Sequence, residues 1–270
     1  MTVHPTAIVD KTAEIDPTAE LGAYAVIEGG VQIGPQTRIY PHAYIAAGTR
    51  LGRSCQVHPF AVVGHHPQDL AWEGSPSYVE IGDETIIREH ATIHRGTMPQ
   101  STTVVGKRCY IMSTGHVGHN CVIGDEVKIV NGGLLSGHVQ VGDKAFISGN
   151  ASVHQFVRIG ELAMIGGLCR VPNDVPPFMM VGPAGIVGPN VVGLRRAGLT
   201  PPERHEIRTC HRILFRSGLH FPEAVERVAK LVRTDPGRRL VEFLRAPSKR
   251  GFMRLKRRAG RNGDFDGDSP

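Results

Sequence analysis

Four histidines, His116, His119, His138 and His154, crowd one stretch of this chain together with Gly137 and Gln155. Imidazole is the side chain whose proton comes and goes near neutral pH, so the cluster admits three readings. It can be polar surface, since a chain with 14 histidines places some together by chance. It can be a zinc site, although His116 and His119, three apart, are not a metal signature alone. Or one histidine is a general base on a substrate hydroxyl, and a backbone N–H takes the developing oxyanion. Gly137 suits that donor, because only hydrogen stands between its amide and an approaching carbonyl. Whether these groups meet depends on how the chain is wound.

The winding is written in the aliphatic residues. From Val3 to Val63 every sixth residue is Val, Ile or Leu; the spacing returns at Ile81, Ile87 and Ile93 and runs again from Val105 to Val171. Six matches neither the helical period nor a two-residue alternation, so the unit is a short strand plus a corner. Small residues recur four places after the aliphatic, as at Ala19, Ala25, Ala43 and Ala61, and Cys55, Cys109, Cys121 and Cys169 take the same place. Both positions point inward. Three hexads close one triangular coil, and stacked coils bury a continuous aliphatic column: a mainly β fold, a single-stranded parallel β-helix of hexapeptide repeats. Residues one coil apart stand above one another at about 4.8 Å. His119, Gly137 and Gln155 then form one file, Asn120 lies under His138, and His154 flanks them.

The β-helix is expected over 1–188, with loops thrown out near 64–80 and 98–103, where the hexads fail. Loops on a rigid scaffold are where function tends to sit. Five prolines from Pro172 to Pro189 end the column, and a C-terminal α-helical region follows over 189–250. Thr200-Pro201-Pro202-Glu203 reads as a capping box with proline at the first helical position, opening a helix to about residue 217 that Gly218 closes. Two shorter helices are expected over 222–232 and 238–245. The segment 251–270, basic and then acidic, is expected to be disordered.

Composition narrows the function classes. Aromatics are only 6% of 270 residues, beside 33 glycines and 19 prolines, which argues against a helical bundle. The formal charge of +6 points to no nucleic-acid partner, because Lys249 and the residues after it carry +4 of it and the body is nearly neutral. Five cysteines without a CxxC pair predict neither a disulfide framework nor a cysteine metal site. There is no transmembrane segment and no leader pattern, so a cytoplasmic location is expected.

At the histidines and around them the sequence resembles the UDP-N-acetylglucosamine O-acyltransferases that open lipid A synthesis. The likeness is carried by Pro67-Gln68-Asp69-Leu70, Ile93-His94-Arg95-Gly96-Thr97, Gly115-His116-Val117-Gly118-His119-Asn120-Cys121, Ser136-Gly137-His138-Val139, Val153-His154-Gln155-Phe156, Asp174-Val175-Pro176-Pro177 and Gly193-Leu194-Arg195-Arg196. The resemblance implies left-handed coils and a homotrimer with active sites in the clefts between subunits. His119 would be the base on the sugar 3-hydroxyl and Gly137 the oxyanion donor. Gln68, Asp69, His116, His138, His154 and Gln155 would hold the sugar nucleotide or the thioester. Asn190 and Arg196 would grip the uridine diphosphate end, and Met164 and Gly167 would line the groove of a long 3-hydroxyacyl chain. The donor would be an acyl carrier protein, with no cofactor and no metal.

Four positions depart from the family's pattern. Ala71 stands where many members have lysine, Asn120 where an aspartate often follows the histidine, and Val192 and Ala197 where some members are polar or basic near the uridine. Arg204, Arg208, Arg212 and Arg216 recur every four residues beside the apolar Ile207, Cys210, His211 and Leu214. That stripe is either a solvated face or a dock for the acidic carrier, and the resemblance favours the dock. The sister N-acyltransferase of the same pathway is a rival, though its family carries a uridine-binding domain ahead of the coils, whereas hexads here begin at Val3. An acetyl-CoA-dependent sugar acetyltransferase is another. A metal-binding trimer like the gamma-class carbonic anhydrases, or a catalytically silent scaffold, is the alternative of a different class.

Overall fold

The computed structural model describes residues 2–253. Over these residues, strands of mostly two residues follow one another around three faces, forming sheets of eleven, nine and eight strands. Every third strand pairs in parallel, as Val26 with Tyr44 and Ile27 with Ile45. Across the two excursions the partners are Gln56 with Ile86 and Thr92 with His116. Both separations are whole multiples of six, so the phase survives each loop. The aliphatic residue of each hexad points into the prism: Ile27, Ile45, Ile87, Ile111, Ile129 and Ile147 are all buried. Cys55, Cys109 and Cys121 share that core, and burial pushes the first two thiols up to about 11 and the third up to about 12. They are neutral packing residues, not nucleophiles.

From Tyr24 onward most corners carry a residue in the left-handed backbone region, among them Asn120 (φ 59°), His138 (φ 60°) and Phe156 (φ 65°). A non-glycine residue there costs about 1–2 kcal/mol. Hydrogen bonds along the prism axis offset it: His138 N donates to His119 O at 2.8 Å, and Phe156 N to Gly137 O at 3.1 Å.

The first excursion lies between strands Val62–His65 and Tyr78–Ile81, and the second between Thr92–His94 and Thr102–Val105. The second leaves the column earlier than the hexads suggest. Arg95 turns inward there, and its guanidinium donates to Gly64 O and Ala47 O, both at 2.7 Å. The loops hold each other through Gln100 N to Pro76 O at 2.8 Å and Tyr78 N to Ser101 O at 2.9 Å.

An antiparallel hairpin, Met179–Gly182 with Gly185–Pro189, ends the column. Four helices follow among the described residues: α1 (Val191–Arg196), α2 (Pro201–Arg216), α3 (Phe221–Leu231) and α4 (Asp235–Arg245). The Thr200 capping box opens α2, and Ile207, Cys210, His211 and Leu214 form its buried face. α1 has too few turns to show a pattern in the sequence; Asn190 caps it and Leu194 buries it. The start of the tail differs from the expectation of disorder. Gly251 O accepts from Asp174 N, and Met253 N donates to Asp174 O, both at 2.8 Å, so 251–253 are strapped to the prism. The rest of that expectation, 254–270, lies outside the described residues.

Candidate active site

His119 sits at the corner between the nine-stranded and the eight-stranded faces, directly after strand His116–Val117. Its Nδ1 is 2.8 Å from Thr97 Oγ1 and 3.0 Å from Asn120 Oδ1. Asn120 Oδ1 also accepts from Thr97 N at 2.9 Å, and the Thr97 hydroxyl donates to Asp69 Oδ2 at 3.2 Å. A relay results. Nδ1–H donates to Thr97 or Asn120, the hydroxyl of Thr97 donates onward to the Asp69 carboxylate, and Nε2 is left with its lone pair free. Asp69 is held well below the ordinary carboxylate range, chiefly by Ala71 N. Its Oδ2 is 3.6 Å from His119 Nε2, so a proton gained there finds a negative charge in reach.

The ring of His119 lies flat against Gly137 one coil on. A Cβ at Gly137 would overlap its Nε2 and Cε1, so only glycine fits beneath the imidazole. His119 and Gly137 share a cavity of about 390 Å³ with Gln68, His116 and Gln155. His138 stands just behind, edge-on to His119 with ring centroids 5.1 Å apart. His154 turns to the Gln155 carbonyl at 3.3 Å and does not line the cavity.

The histidines differ in electrostatics. Burial, with His94 and His119 nearby, pushes His116 down to about 4. At neutral pH it is an uncharged partner of Thr92 Oγ1 at 2.7 Å. Burial and then His119 and Lys249 lower His138 as well. Among the described residues no three His, Cys, Asp or Glu side chains converge as a metal-ligand set.

A second cavity, of about 880 Å³, opens on the eleven-stranded face. Met164, Phe146 and Met180 form its floor, α1 with Arg196 its wall, and Arg108, Lys128 and Lys144 its charged rim. Asn190 borders it, but its amide is partly engaged, donating to Leu162 O at 2.9 Å and accepting from Gly193 N at 3.0 Å as the cap of α1. Val192 and Ala197 both line the wall, so this end of the cavity is apolar. Gly167 is elsewhere, exposed at the corner that leaves strand Met164–Ile165, and touches neither cavity. Of the arginine stripe, Arg208, Arg212 and Arg216 are exposed, whereas Arg204 is half-buried and donates to Leu199 O.

Coils of hexads with a relay-held imidazole over a glycine amide define the class: a hexapeptide-repeat acyltransferase. Residues 174–253 match the family model for domain 2 of UDP N-acetylglucosamine O-acyltransferase. The acyl-[acyl-carrier-protein]–UDP-N-acetylglucosamine O-acyltransferase of Aquifex aeolicus is 54% identical over 258 residues, 94% of this chain and 98% of the relative. The Syntrophobacter fumaroxidans enzyme of the same name is 43% identical over 258 residues, 94% of this chain and all of the relative. The structure of Francisella novicida UDP-N-acetylglucosamine acyltransferase superposes with a TM-score of 0.90 at 37% identity, covering 94% of each chain. The chain therefore belongs to the acyl-[acyl-carrier-protein]–UDP-N-acetylglucosamine O-acyltransferase family, and its β-helix is of the left-handed kind.

Thr97 is the member of the site that sequence reasoning missed. Its signal was weak, a threonine at the mouth of a loop, and only the fold of that loop brings its hydroxyl between His119 and Asp69. Phe156, stacked on His138 at 4.6 Å, was likewise visible only as a corner residue.

The lowered His116 predicts an acid-sensitive fold. The unfolded chain takes up its proton near 6.5 and the folded chain only near 4. This contribution to stability is therefore full above pH 6.5 and lost as pH falls towards 4. In His116→Gln, the fall in Tm between about pH 7 and about pH 4.5 should be smaller than in the wild type. An equal fall would remove His116 as a contributor.

Proposed function

We infer that the chain transfers an acyl group from acyl carrier protein to UDP-N-acetylglucosamine, as its relatives are named for doing. The observation that carries this reading is the imidazole fixed by Thr97 and Asn120 with its free nitrogen against the Gly137 amide. His119 Nε2 takes the proton of the sugar 3-hydroxyl as the oxygen attacks the thioester carbonyl. The Gly137 N–H, which makes no hydrogen bond among the described residues, donates to the developing oxyanion. Collapse breaks the C–S bond, and the imidazolium returns its proton to the departing thiolate. Asn120 cannot neutralise that imidazolium, but Asp69 stands 3.6 Å away and can. The product would enter lipid A synthesis at its first step, with a 3-hydroxyacyl chain attached.

The uridine diphosphate end suits the second cavity, where Arg196, Lys128 and Lys144 offer positive charge to phosphates. That cavity lies on the face opposite the His119 corner of the same prism. One copy cannot present both to one substrate, which supports a homotrimer whose sites each take the base from one chain and the nucleotide pocket from the next. Met164 would meet the acyl or nucleotide moiety within this cavity, and Gly167 would meet the chain only at the outer corner. Arg208, Arg212 and Arg216 on α2 offer the acidic carrier its dock.

Three measurements test this reading. Purified protein given a panel of 3-hydroxyacyl carrier proteins and UDP-sugars should yield the 3-O-acyl product by mass. His119→Ala should lower kcat at least about a hundredfold without loss of fold, and Gly137→Ala, which displaces the ring, by a similar factor. Full activity in His119→Ala would remove it as the base. Replacing Arg208, Arg212 and Arg216 by Glu should raise KM for the carrier about tenfold or more and leave KM for the sugar nucleotide unchanged. An unchanged carrier KM would remove the dock from α2.

A further inference from the structure

The strap at the C-terminus brings one more charge to the base. Arg250 Nε donates to Pro172 O at 3.2 Å, Gly251 N to Ser248 Oγ at 2.8 Å, and Asp174 N to Gly251 O at 2.8 Å. Asp174 is itself fully buried and paired with Arg158 at 2.7 Å. These bonds fix the backbone around Lys249, so the position of that lysine is a property of the fold. Its Nζ stands 4.6 Å from the centroid of Phe156. Phe156 stacks on His138 at 4.6 Å, and His138 meets His119 at 5.1 Å. A column of three rings thus runs from the base to an exposed ammonium.

The charges around this column are uneven. The ionised group next to His119 is Asp69, which is negative. Arg95 is 9% exposed and spends its guanidinium on Gly64 O and Ala47 O. Ala71, beside Asp69, offers no charge. Arg170 is exposed too, but it lines a different cavity with Leu168 and Phe252. Lys249 makes no ion pair among the described residues, and the ring beneath it keeps its ammonium in place with hydrogens free. His138 is lowered chiefly by burial, then by His119 and by Lys249. A carrier-borne acyl thioester hangs on an arm that ends in a phosphodiester. An arm leading its thioester to His119 and Gly137 must carry that anion out along one side of the column.

We propose that Lys249 binds the phosphate of the donor's phosphopantetheine arm, an assignment that rests on the transferase reading above. The test compares two small donors, the 3-hydroxyacyl thioesters of pantetheine and of 4′-phosphopantetheine, which differ only in the phosphate. Wild type should prefer the phosphorylated donor by roughly fivefold in kcat/KM, the scale of an exposed charge pair. Lys249→Met should bring that ratio close to one, and Arg170→Met should leave it intact. A ratio unchanged in Lys249→Met overturns the proposal, even if both donors slow together, because Lys249 would then only brace the rings. Loss of the preference in Arg170→Met instead overturns it as well. If wild type used neither donor nor the acyl carrier protein, the transferase reading itself would fall, a result distinct from both.

Discussion

The structure depends on the axial hydrogen bonding of successive coils. It turns a sequence separation of three hexads into one strand spacing, so a residue's neighbours are fixed along the prism as firmly as along the chain. His138 N to His119 O and Phe156 N to Gly137 O are two such bonds, and they hold the His119 corner in register. The same bonds hold non-glycine residues such as Asn120, His138 and Phe156 in left-handed backbone at many corners. That strain is tolerated because the axial hydrogen bonds of the adjoining coils hold each such corner in place.

Function then comes from what interrupts this regularity. Both excursions leave the prism in whole hexads, so they add side chains without disturbing the aliphatic column. Each delivers one group to His119: Asp69 from the first, Thr97 from the second. In the proposed mechanism the rigid wall supplies base and oxyanion donor, and the loops supply the relay that fixes the tautomer. In the same mechanism Asn120 orients the ring through its amide and Asp69, 3.6 Å from Nε2, supplies the charge. A buried, uncharged His116 completes a wall that is polar without competing for the proton.

Much of this was legible beforehand, for a physical reason. A six-residue period has few solutions, and once it is granted, the file of His119, Gly137 and Gln155 follows from counting. Helix α2 was equally plain, because a capping box and a closing glycine are local signals. The remainder depended on long-range contacts that no local pattern encodes. Arg95 drew the second loop away early, Thr97 reached the base only through that turn, and the strap at Gly251 to Met253 formed because Asp174 offered its backbone. Asn190 read as a ligand and proved also to be a helix cap. Gly167 read with Met164 as lining an acyl groove; within one chain Met164 lines the larger cavity, and Gly167 lies exposed at the corner that follows.

The central claim is that one site needs two copies of the chain, because base and nucleotide pocket lie on opposite sides of a single prism. Mixing His119→Ala chains with Arg196→Glu chains tests it most directly, since each kind lacks one half of the site. Randomly mixed trimers should regain about a quarter of wild-type activity while each variant alone stays inactive. Mixed assemblies, verified by mass, that remain as inactive as their parents would contradict it.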